Sequence, residues 1–296
     1  MSTCARRFHN YSSLKVMFST SYYALVAGFR EYALDAETKG FDIESILAEV
    51  FEVLSSSDAK TVKLLYTYYD CENLISRYNG SSTYNALGRL SSEEVGEELQ
   101  RPSRLAEPLA KVVRAYTAPE SEEVESAEDT DSVKPFGQAL MSAYYKMCAT
   151  SGSRLLREWS KTDRMIRNVV AATLARQQGV AVDSVVVGED ILTDTMSRSS
   201  AADFGLRAEL PFVEQLVAAV VDEHNMVEKE RKIDNIRWSE LSELSTFDYF
   251  DLNAVIAYLV KVNMVARWAQ LDKKVGREMF DRLVAELDGK EMINKL

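Results

Sequence analysis

The sequence predicts an all-α fold on three observations. Only 12 glycines and 5 prolines occur in 296 residues, too few for the tight turns of a many-stranded sandwich. Apolar residues recur every three or four positions through most of the chain, which is the repeat of a helix face. The segments marked in this way are bounded by residues that start or stop helices. The totals also exclude some functions. Hydrophobic residues at 46% and charged residues at 27% are those of a globular protein. A formal net charge of −11 does not suit nonspecific binding to nucleic acid or to an anionic bilayer, since both need a basic footprint. Cys4, Cys71 and Cys148 lie far apart and form neither a disulfide framework nor a metal-ligand pair, so a reducing cytoplasm is expected. With two histidines, His9 and His224, the chain lacks the means for a site of three. No run has the length and flanks of a signal peptide or a transmembrane helix.

Taken in order, residues 1–16 carry Arg6, Arg7 and Lys15 without an acid and are expected to form a disordered leader. Order is expected from Met17. Between Asp42 and Leu54, the residues Ile43, Ile46, Leu47, Val50 and Leu54 share one face of an amphipathic helix. Ser57 or Asp58 is placed to cap a longer helix from Ala59 to Tyr78, whose stripe includes Tyr66, Tyr69, Asn73 and Leu74. A loop with Gly80 and Gly88 follows, and Ser91 with Glu94 has the spacing of a capping box. A further helix is expected from Ser103 to Tyr116. Residues 118–135 hold seven acids and one lysine, so they cannot bury enough apolar surface to offset their ordering entropy and are read as a flexible acidic loop.

From Phe136 to Gln178 the pattern is almost continuously helical, interrupted at Ser151-Gly152-Ser153 and ended by Gly179. The valines of 182–187 allow at most a very short strand, and one without partners is marginal. Pro211 opens a helix that reaches about Leu244, with a break near Asn225. Its stripe runs through Val213, Val217, Val220, His224, Val227, Arg231, Asp234, Trp238 and Leu241. Arg231 and Asp234 are in range at i, i+3, Arg237 stands three residues beyond Asp234, and a buried pair here would fix packing. Glu228 and Lys232 are spaced i, i+4 on the charged face.

Asp251 caps the next helix, Leu252 to Gln270, which is apolar around most of its circumference and is therefore a core helix. Asn263, Arg267 and Gln270 make its one narrow polar face. After Asp272, the recurrence of Val275, Met279, Leu283 and Leu287 predicts a surface helix. No phosphate loop, dinucleotide fingerprint, nucleophile elbow, H-E-x-x-H or C-x-x-C is present. No cofactor, metal ligand set or catalytic residue is read from the sequence.

Four segments together carry a resemblance: SYYALVAGF, REWSKTDRMIRNVVAATLARQQG, SRSSAADFGL and ERKIDNIRWSELSELSTFDYFDLNAVIAYLVKVNMVARWAQLD. They resemble a bacterial family of uncharacterised proteins similar to the C-type central-stalk component of V/A-type ATPases, the d-type component of the eukaryotic vacuolar enzyme. The resemblance implies a funnel-like bundle of three related helical modules, here 17–117, 136–210 and 211–296. It also implies a non-catalytic central-stalk subunit at the cytoplasmic face of the membrane. Its partners would be the membrane rotor-ring and central-shaft subunits, with no nucleic acid and no direct membrane insertion. In such families a polar residue precedes Asn-Leu or Asn-Ile on a helix: Asp70 with Asn73-Leu74 fits, and Asp163 with Asn168-Val169 fits loosely. Ala257-Tyr258-Leu259 matches the family's Ala-Tyr-Leu, but the Lys/Glu-rich run usual after it is replaced by Val262 to Val265. Asn263 and Arg267 on the same helix are candidate contacts between modules or with a partner. The alternative expectation is a freestanding cytoplasmic adaptor that binds a basic partner through the acidic loop. A third is an enzyme whose carboxylates meet only on folding, recognisable by a deep pocket with two or more acids of raised pKa.

Overall fold

Caps and apolar stripes turn this chain into a series of helices. The computed structural model describes residues 21–34, 41–118 and 134–270. Among them are eleven α-helices and no strand. They are α1 (Tyr23–Ala27), α2 (Ile43–Val53), α3 (Ser56–Tyr78), α4 (Ser92–Gln100), α5 (Glu107–Thr117), α6 (Phe136–Ala149), α7 (Arg154–Gln178), α8 (Ile191–Arg198), α9 (Val213–Asp222), α10 (Met226–Leu244) and α11 (Leu252–Gln270). The expected leader, most of the acidic loop and the surface helix after Asp272 lie outside the described residues.

Most ends carry the expected caps. Asp42 accepts from the backbone of Glu44 and Ser45, Ser91 and Glu94 form a reciprocal capping box, and Asp251 accepts from Ala254 N at 3.1 Å. Gly179 closes α7 in the left-handed conformation. Two helix starts differ from the sequence reading. The cap of α3 is Ser55, whose extended backbone leaves its hydroxyl free to accept from Asp58 N at 3.1 Å. The start of α5 moves to Glu107 because the N–H groups of Ser103, Arg104 and Leu105 turn onto the buried carboxylate of Glu98. The stretch 182–187 stays within the expected limit of at most a very short strand: it makes a 3-10 turn at Val182–Ser184, and no strand among the described residues is there to pair with it. The break expected between α9 and α10 falls at Glu223, and Asn225 caps the new helix. The long stripe is interrupted there: His224 and Val227 are exposed, and Lys232 pairs with Glu223 at 2.9 Å instead of Glu228.

Two apolar clusters hold the helices. The larger joins α1 to α6, the first half of α7, the end of α10 and α11 through residues such as Val62, Leu74, Leu140, Leu156, Leu241 and Leu259. The smaller joins the rest of α7 to α8, α9 and the earlier part of α10 through Met165, Val169, Met196, Leu216 and Ile233. Helix α7, 25 residues long, belongs to both. On α11, Val255, Ile256, Leu259 and Val262 are fully buried, as its apolar circumference predicts. Each such side chain contributes about 1.5–3 kcal/mol relative to exposure. No helix among the described residues is long and apolar enough to cross a membrane.

Candidate functional site

Two asparagines on different helices perform the same local task. Asn73, buried on α3, donates from Nδ2 to the carbonyl of Asn85 at 2.9 Å and accepts at Oδ1 from its N–H at 2.7 Å. Asn168, buried on α7, makes the same two bonds to Val187, both at 2.8 Å. A primary amide has the donor and acceptor of a peptide group, so it pairs with the backbone as a neighbouring strand would. One turn earlier a charged residue holds the same loop. Asp70 accepts from Arg89 N at 2.6 Å and Leu90 N at 3.0 Å, while Arg164 donates to Val187 O at 3.1 Å and pairs with Asp190. Burial raises the Asp70 carboxyl above the ordinary range, and the two N–H bonds only partly offset this.

A glycine allows each close crossing. A Cβ on Gly88 would stand 2.6 Å from Asn73 Nδ2, and one on Gly188, where φ is +113°, would stand 2.0 Å from Arg164 Nη1. Both loops then enter a helix through a capping box, Ser91 with Glu94 for α4 and Asp190 with Thr193 for α8. Asp163 is not the counterpart of Asp70 in this arrangement. It faces a different feature.

That feature is a cleft of about 190 Å³ whose walls come mainly from α3, α6, α7, α10 and α11. Tyr68, Tyr69, Tyr144, Tyr145 and Trp159 supply aromatic wall, and Glu72, Asp163, Asp234, Arg237 and Arg267 supply charge. Arg237 bridges two acids, with Nε 3.3 Å from Asp163 and Nη1 3.0 Å from Asp234. Asp234 also accepts from Trp268 Nε1 at 2.8 Å and from Arg267, and Asp163 accepts from the Tyr145 hydroxyl at 2.9 Å. Burial pulls Arg237 down, but the charges of Asp163 and Asp234 outweigh it and hold the guanidinium above its usual pKa. Arg167 donates to the Tyr68 hydroxyl at 2.9 Å. Burial pushes Glu72 up against the opposing field of Arg167 and a hydrogen bond from Tyr68. Among the described residues Glu72 has no ion-pair partner, and its contact with Asn85 Nδ2 is long, at 3.5 Å. No group of three metal-ligating side chains occurs among the described residues.

The other expected residues take separate places. Asn263 on α11 accepts from Tyr66 OH on α3 at 2.9 Å, joining two long helices far apart in the chain. Arg267 reaches Glu230 at 3.1 Å as well as Asp234. Arg231 lies 5.1 Å from the Trp268 ring centre, and the i+3 partner of Asp234 is Arg237. Trp238 faces Lys261 Nζ at 5.1 Å, and Tyr258 stacks on Phe29 with ring centres 3.8 Å apart. Sequence reasoning missed Glu72, Tyr68 and Arg167 as one group. The available signal was the placing of Tyr68, Tyr69 and Glu72 on one turn of α3, with Glu72 at i+4 and i+3 from the two tyrosines.

Fold and site define an all-helical protein in which buried polar side chains hold loops against helices and join helices around a polar cleft. The family model described as a protein of unknown function (DUF2764) matches residues 19–291, and the chain belongs to that family. Comparison with curated proteins and with solved structures gives no match.

Proposed function

We propose that the protein is a non-catalytic central-stalk (rotor) subunit of a V/A-type ATPase, coupling the central shaft to the membrane rotor ring. The observation that carries this reading is the repeated asparagine clamp. Asn73 and Asn168 hold their loops by the same pair of bonds, each followed by a capping-box helix. Such recurrence supports the related modules that the resemblance to the C-type stalk component implies. The ion network of Asp163, Asp234, Arg237 and Arg267 supports a mechanical role as well. It crosses three helices, α7, α10 and α11, and opposes their sliding past one another. In this reading the protein sits at the cytoplasmic face of the membrane through the complex.

The test is affinity purification of the tagged full chain from native membranes under mild detergent. Ring and shaft subunits are expected to co-purify in fixed proportion. Recovery of the chain only as a free monomer sinks the proposal. Deleting Glu120 to Asp131 separates it from an adaptor role: a stalk subunit keeps its partners, whereas an adaptor working through the acidic loop loses them.

A further inference from the structure

We infer that the cleft between α3, α6, α7, α10 and α11 binds a small organic ammonium compound, with the Glu72 carboxylate as counter-ion and the Tyr69 hydroxyl as a second polar contact. The inference does not depend on the coupling role and goes beyond it.

The charges of the cleft are unevenly matched. Arg237 is engaged by Asp163 and Asp234, and Arg267 by Asp234 and Glu230. Glu72 faces the same space without an ion pair among the described residues. Arg167, the cation whose field reaches it, directs its hydrogen bond to the Tyr68 hydroxyl and not to Glu72. Tyr69 lines the cleft, and its hydroxyl makes no hydrogen bond to any described residue. An ammonium group supplies three donors and one positive charge, which matches a carboxylate that has a hydrogen bond from Tyr68 but no ion pair among the described residues, and a hydroxyl without a partner there. The aromatic walls add attraction, because their ring faces carry partial negative charge. An anion would have to displace Asp163 or Asp234 from the arginines, and an uncharged apolar ligand would desolvate Glu72 without compensation.

Size narrows the class. A cavity of about 150 Å³ accommodates benzene, so a cleft of 190 Å³ suits a ligand only slightly larger. Benzylammonium is a probe of that size, with benzyl alcohol as its uncharged analogue and benzoate as its anionic one.

Isothermal titration calorimetry of the full chain with these three probes tests the assignment. Benzylammonium is expected to bind saturably and more tightly than either analogue. Glu72→Gln is expected to weaken it about tenfold or more, the effect of removing a charged hydrogen-bond partner, and Tyr69→Phe about threefold. Circular dichroism checks that both near-isosteric variants fold. If Glu72→Gln does not fold, the ranking of the three probes on the unaltered chain, together with Tyr69→Phe, carries the test. Equal or tighter binding of benzoate or benzyl alcohol overturns the inference. So does unchanged affinity in folded Glu72→Gln, or no saturable binding of benzylammonium.

Discussion

Trp268 on α11 donates its indole N–H to the carboxylate of Asp234 on α10, 2.8 Å away, where Asp234 is 1% exposed. The same carboxylate accepts from Arg237 and Arg267, so one buried anion holds two cations and an indole. Removing it takes one of two acids from each arginine and the acceptor from the indole. Asp234→Ala is expected to cost about 3–5 kcal/mol, the range for breaking a buried pair from one side. Trp268→Phe removes a single donor and leaves both ion pairs, and should cost less. Urea unfolding of the two variants, followed by circular dichroism, checks the order.

Asn168→Ala is expected to free the loop at Val187. The Val187 N–H loses its acceptor, at about 1–3 kcal/mol for an orphaned buried group, while the carbonyl keeps the Arg164 donor. The local effect is the sharper readout. Exchange of the Val187 amide should accelerate more than that of amides in α3, and Asn73→Ala should do the same to Asn85. Uniform acceleration through the chain would mean that the clamps have no local role.

Gly188→Ala should destabilise more than Gly80→Ala. Both glycines have positive φ, at +113° and +73°, but of the two only Gly188 would bring a Cβ against a neighbour, Arg164 Nη1 at 2.0 Å. The Gly80 change carries the backbone cost alone, roughly 1–2 kcal/mol. The Gly188 change also displaces the guanidinium that holds Val187 O and Asp190. Thermal melts of the two variants side by side give the comparison.

Glu98 predicts a pH dependence. Its buried carboxylate opposes desolvation with N–H bonds from Arg104, Ser103 and Leu105, and the net effect lowers its pKa below the ordinary 4.5. A lowered carboxyl stabilises the fold above the unfolded value and loses that contribution as pH falls through the folded one. The unaltered protein should therefore exceed Glu98→Gln in stability at pH 7, and the gap should narrow below about pH 4.5. Melting temperatures measured from pH 7 to pH 3 test the sign. A gap that widens on acidification refutes the assignment.

Fold class, most caps and the burial of α11 were legible in the sequence, because helical periodicity and capping act within a few residues. The start of α5 and the anchoring of Val187 were not. Their backbone groups bond to Glu98 and Asn168, and neither partner can be chosen from the local pattern. Asn73 and Asp234 were visible as polar residues on otherwise apolar stripes, Asp70 and Asn168 only through the family resemblance, and all four are buried. What each one holds was not visible.

By itself the sequence determined which residues turn inward along each helix, since that depends on spacing along one axis. Only the tertiary structure decided what they meet. Glu72, Asp163 and Asp234 lie on three helices and share a cleft because the packing of those helices brings them together. Coulomb and hydrogen-bond energies depend on distance in space, which spacing along the chain does not convey.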